Sequence, residues 1–160
     1  RGRVVTLGVG TSAAAARKVA HSLCCVECPA FFLSAADAPH GALGAVGRGD
    51  FAILFSKGGR SGELNRILGP LRAKGAYLVA VTENERSPLA RASDLLLRVR
   101  VKREADPFNL LATASTLAAI AVFDAICVAL MSRRGFTRGR FAVIHPGGAV
   151  GQRLRGRAGG

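Results

Sequence analysis

Short apolar runs alternate with helical patterns along most of this sequence, and this alternation restricts the fold more than any other feature. The runs have the length and the β-branched or aromatic content of buried strands. They are RVVTLGV, AFFL, FAILF, YLVAVT and LLLRV, at residues 3–9, 30–33, 51–55, 77–82 and 95–99. Helical patterns lie between them at residues 12–25, 62–74 and 87–93. Strands joined by helical crossovers lie parallel. The pattern therefore predicts an α/β fold, a doubly wound, flavodoxin-like five-stranded parallel sheet with helices on both faces.

Length and cysteine content indicate one domain in a reducing compartment. The chain has 160 residues, of which 49% are hydrophobic, enough for one well-buried core. We predict one domain over residues 1–154 and a basic tail without regular structure over residues 155–160. Four clustered cysteines are too few for a disulfide framework, which favours free thiols and a cytoplasmic location. The chain starts at Arg1 with no signal-peptide pattern, and we treat it as a fragment whose targeting segment is not seen.

The formal net charge of +13 favours an anionic partner. Nucleic acid is one candidate, but the cations are scattered and no aromatic residues alternate with them. A surface that attracts small phosphorylated ligands explains the charge as well. We therefore predict a small phosphorylated ligand as partner and no specific nucleic-acid binding.

The longest apolar stretch of the chain, residues 107–131, could be a membrane span or a helix of the core. It is long enough to cross a bilayer, for which about 20 apolar residues suffice. Asp124 and the hydroxyl cluster at residues 113–116 argue against a span, and five upstream strands need a cover. We predict a buried helix, packed against its copy in a dimer, and no membrane contact.

Two loops rich in glycine and hydroxyl groups follow the first and third predicted strands. They are GVGTSA and SKGGRS, at residues 8–13 and 56–61. In a sheet of order 2-1-3-4-5 these strands are neighbours, and ligands bind beyond their carboxyl ends. Both loops lead into helix N-termini, where free N–H groups attract anions. The predicted anion ligands from these loops are Gly10, Thr11, Ser12, Ser56, Lys57, Gly59 and Ser61.

A dinucleotide site is a weaker alternative. The segment from Gly8 to Ala13 also fits the pattern G-x-G-x-x-A. That pattern expects an acid at the end of the second strand, where this chain has Ser34. The second serine and glycine loop is not part of it either.

The sequence resembles sugar isomerase (SIS) domains, and within them the arabinose-5-phosphate isomerase group, including its plant-type members. The matching segments are FFLSAADAPHGALG, ILFSKGGRSGEL, RAKGAYLVAVT, READPFNLLATAST and FAVIHPGGAVGQRL. They run in the family's order and at its spacing from Arg3 to about Leu154.

The resemblance implies a function and site residues. It implies an isomerase that interconverts arabinose 5-phosphate and ribulose 5-phosphate through an enediol, without a cofactor, on the route to the acidic sugar Kdo. Glu63, Glu104 and His145 fall on catalytically important family positions, and His40 on a sugar-binding one. Thr113 and Ser115 either line the pocket or serve the start of the long helix. SIS domains form homodimers or homotetramers, so His40 or His145 would act in a neighbour's pocket.

The sequence departs from the family at the phosphate loops. Thr11 stands where the family has lysine, and Gly58 replaces a serine. Ser34 replaces a histidine that binds metal in some members, so we predict no metal. Loss of a preorganised cation costs about 10²–10³ in rate, which leaves a sugar-phosphate sensor without catalysis as the alternative. Lys57 or Arg60 is expected to supply the missing positive charge.

Overall fold

The architecture of the chain follows from a computed structural model that describes residues 2–155. The strands are β1 (Val4–Gly8), β2 (Ala30–Phe32), β3 (Phe51–Phe55), β4 (Tyr77–Thr82) and β5 (Leu95–Arg98). The helices are α1 (Thr11–Cys24), α2 (Gly62–Ala73), α3 (Pro88–Ala92), α4 (Ala114–Arg133), α5 (Arg138–Ile144) and α6 (Gly148–Arg155). Each strand and helix predicted from the alternation is present, with ends that differ by a few residues.

The five strands form one parallel sheet in the order β2-β1-β3-β4-β5, which confirms the predicted fold class. β1 pairs with β3 along its whole length, from Val4 opposite Phe51 to Gly8 opposite Phe55. The loops that leave these two strands therefore start side by side at the carboxyl edge of the sheet. The strand order reverses at this point, where ligands bind in doubly wound folds.

Helices cover the sheet on both faces, and each face has its own core. On one face, α2 buries Leu64, Ile67 and Leu71 against inward side chains of β1, β3 and β4. On the other face, α1 and α4 pack over Ile53, Phe55 and neighbouring residues. The strands carry apolar residues on both sides because both sides are covered, as expected for a parallel sheet.

The connection from β2 to β3 contains two short 3-10 turns, at residues 38–40 and 42–45, instead of a crossover α-helix. Its sequence is rich in glycine and includes Pro39, which disfavour a regular helix. Gly41 joins the two turns with a φ of 107°, which a residue with a side chain rarely adopts. His40 ends the first turn and is exposed.

The long apolar segment forms α4, which is buried on one face only. Phe123 packs on Phe55 with 5.2 Å between ring centroids, whereas Leu117 and Val128 are exposed on other faces of the helix. Asp124 pairs with Lys18 of α1, so its charge has a partner in the fold. Within residues 2–155, α4 is the one helix long and apolar enough to cross a membrane, by length and composition alone. The sheet side of the helix is buried as predicted, and the packing of its opposite side against a second copy stays a prediction.

The C-terminal helices begin at the end of the sheet where the strands start. Arg140 of α5 pairs with Glu27, which lies just before β2, and Arg134 donates to the Glu27 carbonyl. Helix α6 ends at Arg155, the first residue of the predicted tail at residues 155–160, and the division of the chain after residue 154 stays a prediction. Residues 156–160 lie outside the described residues.

Truncation of Leu71 to alanine should destabilise the fold strongly. Leu71 is fully buried between α2 and the sheet, and removing such a side chain leaves a cavity. We expect Leu71→Ala to lower the free energy of unfolding by about 2–5 kcal/mol in urea denaturation followed by circular dichroism. Arg66→Ala, an exposed position on the same helix, should stay within about 0.5 kcal/mol of the parent. Equal stability of the two variants would contradict this packing.

Candidate active site

The loop after β1 places two hydroxyl groups at the start of α1. Gly10 caps the helix with a φ of 55°, and Thr11 and Ser12 are its first residues. Gly8 admits no side chain, because a Cβ there would lie 2.6 Å from the carbonyl oxygen of Ser12. Because the capping residue is a glycine, it offers no side chain to the first N–H groups of α1. This helix N-terminus can therefore receive an anion.

The loop after β3 is folded around the side chain of Ser56. The Ser56 hydroxyl lies 2.9 Å from the Ser61 hydroxyl and accepts a hydrogen bond from the Gly59 N–H at 3.1 Å. Ser61 caps α2 by position, but its hydroxyl bonds Ser56 instead of an N–H group of the helix. The two predicted phosphate-binding serines are thus in direct contact, next to a second uncapped helix N-terminus.

The end of β4 holds this loop in place. Thr82 donates its hydroxyl to the carbonyl of Lys57 at 2.7 Å. Gly59 has a φ of 66°, and a Cβ there would lie 2.1 Å from the buried Ser87 hydroxyl. Thr82 and Ser87 are not among the predicted site residues. The available signal was their position at and just after the end of β4, the strand next to β3.

Glu104 is the most enclosed charged group near these loops, with 1% of its surface exposed. Five donors reach its carboxylate. Thr113 donates from its N–H at 2.9 Å and its hydroxyl at 3.2 Å, and Ser115 from its N–H at 3.1 Å and its hydroxyl. The Lys57 ammonium donates at 2.8 Å. Glu104 therefore occupies the N-terminus of α4 as a fixed anion and ties that helix to the β3 loop.

The hydrogen bonds keep Glu104 ionised. The Lys57 ammonium and the Ser115 hydroxyl, helped by the Thr113 and Ser115 N–H groups, lower the pKa of Glu104 far below its ordinary value, although burial opposes this. The same bond to Glu104 raises the pKa of Lys57. As it stands, the carboxylate is a strong hydrogen-bond acceptor and a weak base.

The loop between Glu104 and α4 is also held by a carboxylate. Burial opposes ionisation of Asp106, but the N–H groups of Leu111, Phe108 and Leu110 lower its pKa by bonding its oxygens. The Asn109 side chain accepts from the Glu104 N–H at 2.6 Å. This local network fixes the backbone on which Glu104 is carried.

A small cavity of about 50 Å³ lies where the loops meet. Its polar lining is hydroxyl groups and one ammonium, from Ser12, Ser56, Lys57, Thr82, Ser115 and Thr116. A cavity of this volume suits a compact polar group. Hydroxyl donors, an ammonium and the start of α1 together favour an anion in this cavity.

Other predicted site residues lie away from the cavity lining. Glu63 is exposed in the first turn of α2, and Arg60 is exposed in the loop before it. His40 is exposed in the 3-10 turn that follows β2. His145 directly follows α5, and its ring stacks on that of Phe141 with 4.0 Å between ring centroids. This segment is anchored at the other end of the sheet by the pair of Arg140 and Glu27. The structure thus brings Ser12, Ser56, Lys57, Glu104 and Ser115 together, and leaves both histidines apart.

The described residues provide no evident metal centre. Within residues 2–155, no three histidine, cysteine, aspartate or glutamate side chains are grouped closely enough to hold an ion. The expectation of a metal-free site stays a prediction.

Comparison with known protein families identifies the SIS domain, whose family model matches residues 1–129. Among curated proteins, the arabinose 5-phosphate isomerase KdsD of Pseudomonas aeruginosa is 39% identical over 154 residues, which cover 96% of this chain. They cover 47% of KdsD, so the chain spans about half the length of the curated relatives it matches.

Two solved structures are also similar to this chain. A candidate sugar-phosphate isomerase of Listeria monocytogenes is 49% identical, with a TM-score of 0.89, over 91% of this chain and 76% of that one. An E. coli CFT073 protein in complex with arabinose 5-phosphate is 38% identical, with a TM-score of 0.89, over 91% of this chain and 78% of that one.

Alanine at position 59 should disrupt the loop. The positive φ and the close approach of Ser87 both exclude a side chain, and the backbone conformation alone costs about 1–2 kcal/mol with a Cβ. We expect Gly59→Ala to lower the free energy of unfolding by at least this amount. Gly58→Ala is the matched control, since its Cβ would meet nothing within 4 Å. Similar denaturation midpoints for both variants would contradict the described loop.

The Glu104 carboxylate should make stability depend on acid pH. A carboxylate whose pKa is lowered on folding stabilises the fold above its unfolded value, about 4.5, and this contribution is lost as pH falls below it. We expect the parent protein to lose stability from about pH 5 downward more steeply than Glu104→Gln. Urea denaturation at a series of pH values measures both slopes, and parallel slopes would refute the ionised, hydrogen-bonded state of Glu104.

Proposed function

This chain belongs to the SIS domain family, and from that premise we propose that it is an aldose–ketose isomerase for arabinose 5-phosphate and ribulose 5-phosphate. The arabinose 5-phosphate isomerase KdsD of E. coli, 40% identical over 96% of the chain, supports the reaction, and the arabinose 5-phosphate complex of the E. coli CFT073 protein supports the ligand. The proposal concerns the activity of the whole protein to which this domain contributes.

The observation that carries the proposal is the cavity lined by Ser12, the β3 loop, the end of β4 and the start of α4, with Glu104 bonded to the Lys57 and Ser115 side chains of that lining. In the proposed complex the phosphoryl group enters this cavity. It accepts hydrogen bonds from Ser12, Ser56 and Thr116 and is stabilised by the start of α1.

The reaction moves a proton between two neighbouring carbons. A base removes the proton from C2 of the aldose, the enediol forms, and the proton returns at C1, while a proton also moves between the two oxygens. Glu104 is the base in our proposal, because it contacts two groups of the cavity lining, Lys57 and Ser115. Glu63, at the open side of the β3 loop, is the second carboxylate and serves the sugar oxygens.

His40 and His145 act in the pocket of a neighbouring subunit in our proposal. His40 is exposed, and His145 is carried by the segment anchored at the other end of the sheet. A homodimer or homotetramer would bring a partner's histidine over the open side of the cavity. The sugar end of the ligand would be covered in the same way.

Three finer assignments are also proposals. The first is a place among plant-type members of the group, for which Lys57 in the β3 loop is the supporting residue; the relatives compared above are bacterial. The second is a role in making Kdo. The third is a cytoplasmic location, supported by four cysteines that are all free.

A sugar-phosphate sensor without catalysis is the second candidate function. It is favoured by Thr11, which offers a hydroxyl where the family has lysine, and by the strong engagement of Glu104 with five donors. A sensor would bind arabinose 5-phosphate and leave its carbon-bound hydrogens in place.

Isomerase activity is tested by incubating the protein with arabinose 5-phosphate in D₂O. We expect ribulose 5-phosphate to form with deuterium at C1, because the transferred proton exchanges with solvent at the base. Removal of a general base typically costs about 10²–10⁴ in rate, so Glu104→Gln should fall by this factor. Ser132→Ala, a hydroxyl at the far end of α4, is the control and should leave turnover unchanged. Binding without product or deuterium incorporation would reject the isomerase and leave the sensor.

A further inference from the structure

Lys57 lies between a carboxylate, which its ammonium bonds, and the cavity in which we place the phosphoryl group. Its ammonium donates to Glu104 at 2.8 Å, while the same side chain lines the hydroxyl cavity. We propose that Lys57 is a positioning residue that changes partner: when a phosphoryl group enters the cavity, the ammonium moves from Glu104 to the phosphoryl oxygens and frees Glu104 to accept a proton. This inference rests on the proposed function for its catalytic meaning and not for its binding step.

The geometry makes the lysine side chain the part that can move. Its backbone is fixed, because the Lys57 carbonyl accepts from the Thr82 hydroxyl at 2.7 Å and from the Glu83 N–H at 3.0 Å. Its side chain is 39% exposed, whereas that of Glu104 is 1% exposed. A lysine ammonium is a point charge on a flexible stem, so it can turn toward a new anion without any shift of the loop.

Glu104 keeps its place when Lys57 leaves. Thr113 and Ser115 still supply four donors from the N-terminus of α4, so the carboxylate stays buried and hydrogen-bonded. It loses the one ionic partner that it has and the largest cause of its lowered pKa. A phosphoryl group with two negative charges is in turn a stronger partner for the ammonium than a carboxylate already bonded by four donors.

The charges around Lys57 agree with this exchange. Besides Glu104, the acids that act on its ammonium are Glu83, from the β4 exit, and Asp106, from the connection to α4. Both raise the pKa of Lys57, so the lysine carries its proton in either position. The ammonium therefore moves from one anion to another and keeps its proton.

The binding step can be tested with inorganic phosphate as the probe. In protein labelled with ¹³C at the glutamate carboxyls, the Glu104 signal, identified by its absence in Glu104→Gln, is followed at neutral pH as phosphate is added. We expect the carboxyl chemical shift of Glu104 to change as phosphate saturates the site, because the Lys57 ammonium leaves the carboxylate. In Lys57→Met the signal should already lie near its phosphate-saturated position, and phosphate should change it much less.

Phosphate affinity provides the second readout. A hydrogen bond to a charged group contributes about 1.5–3 kcal/mol, so Lys57→Met should bind phosphate roughly 10- to 100-fold more weakly. Lys57→Arg should recover part of this loss. Lys74→Met, which removes a lysine at the far end of α2, should bind phosphate like the parent.

The outcomes separate this inference from the proposed function. An unchanged Glu104 signal on phosphate binding, or parent-like phosphate affinity in Lys57→Met, would overturn the exchange of partners even if the isomerase assay succeeds. A phosphate-induced change of the Glu104 signal that is equally large in Lys57→Met would also overturn it, since the nearby phosphate charge alone would then explain the change. If Lys57→Met does not fold, the Glu104 signal of the parent and the phosphate affinity of Lys57→Arg still decide. A changed Glu104 signal in a protein without turnover would support the exchange and reject the isomerase.

Discussion

The carboxylate of Glu104 is the interaction on which the candidate site depends. It accepts from Thr113 and Ser115 at the start of α4 and from Lys57 in the β3 loop, which lies 47 residues away in sequence. A buried carboxylate is tolerated only when it is paired and hydrogen-bonded, and here the start of α4 and Lys57 meet both requirements. The position of α4 over the sheet and the shape of the cavity follow from the same set of bonds.

The same bonds pose a chemical problem for a base. A carboxylate with five donors is well placed beside the cavity but holds protons poorly. Catalysis by general bases needs a pKa nearer the working pH. A ligand that draws the Lys57 ammonium away makes the Glu104 carboxylate more basic, and it does so only when the substrate is bound. In this account the ion pair keeps the free protein stable and unreactive.

The fold and part of the site could be predicted because they depend on local patterns. Alternating strands and helices determine a parallel sheet, and two serine and glycine loops on neighbouring strands determine where an anion can bind. Thr82 and Ser87 were missed because their role comes from packing against Gly59, which no local pattern records. The bond between Lys57 and Glu104 joins residues 47 apart in sequence and depends on the tertiary fold. The apolar composition of α4 predicts its burial but does not say which face the sheet covers.

Binding of a heavy oxyanion tests the central claim most directly. Crystals soaked in tungstate, an analogue of phosphate that scatters anomalously, would reveal the anion by a single strong peak. We expect that peak in the cavity between Ser12, Ser56 and Thr116, and we expect excess phosphate to displace it. A peak confined to the arginines at the other end of the sheet, with this cavity empty at saturating tungstate, would contradict the account.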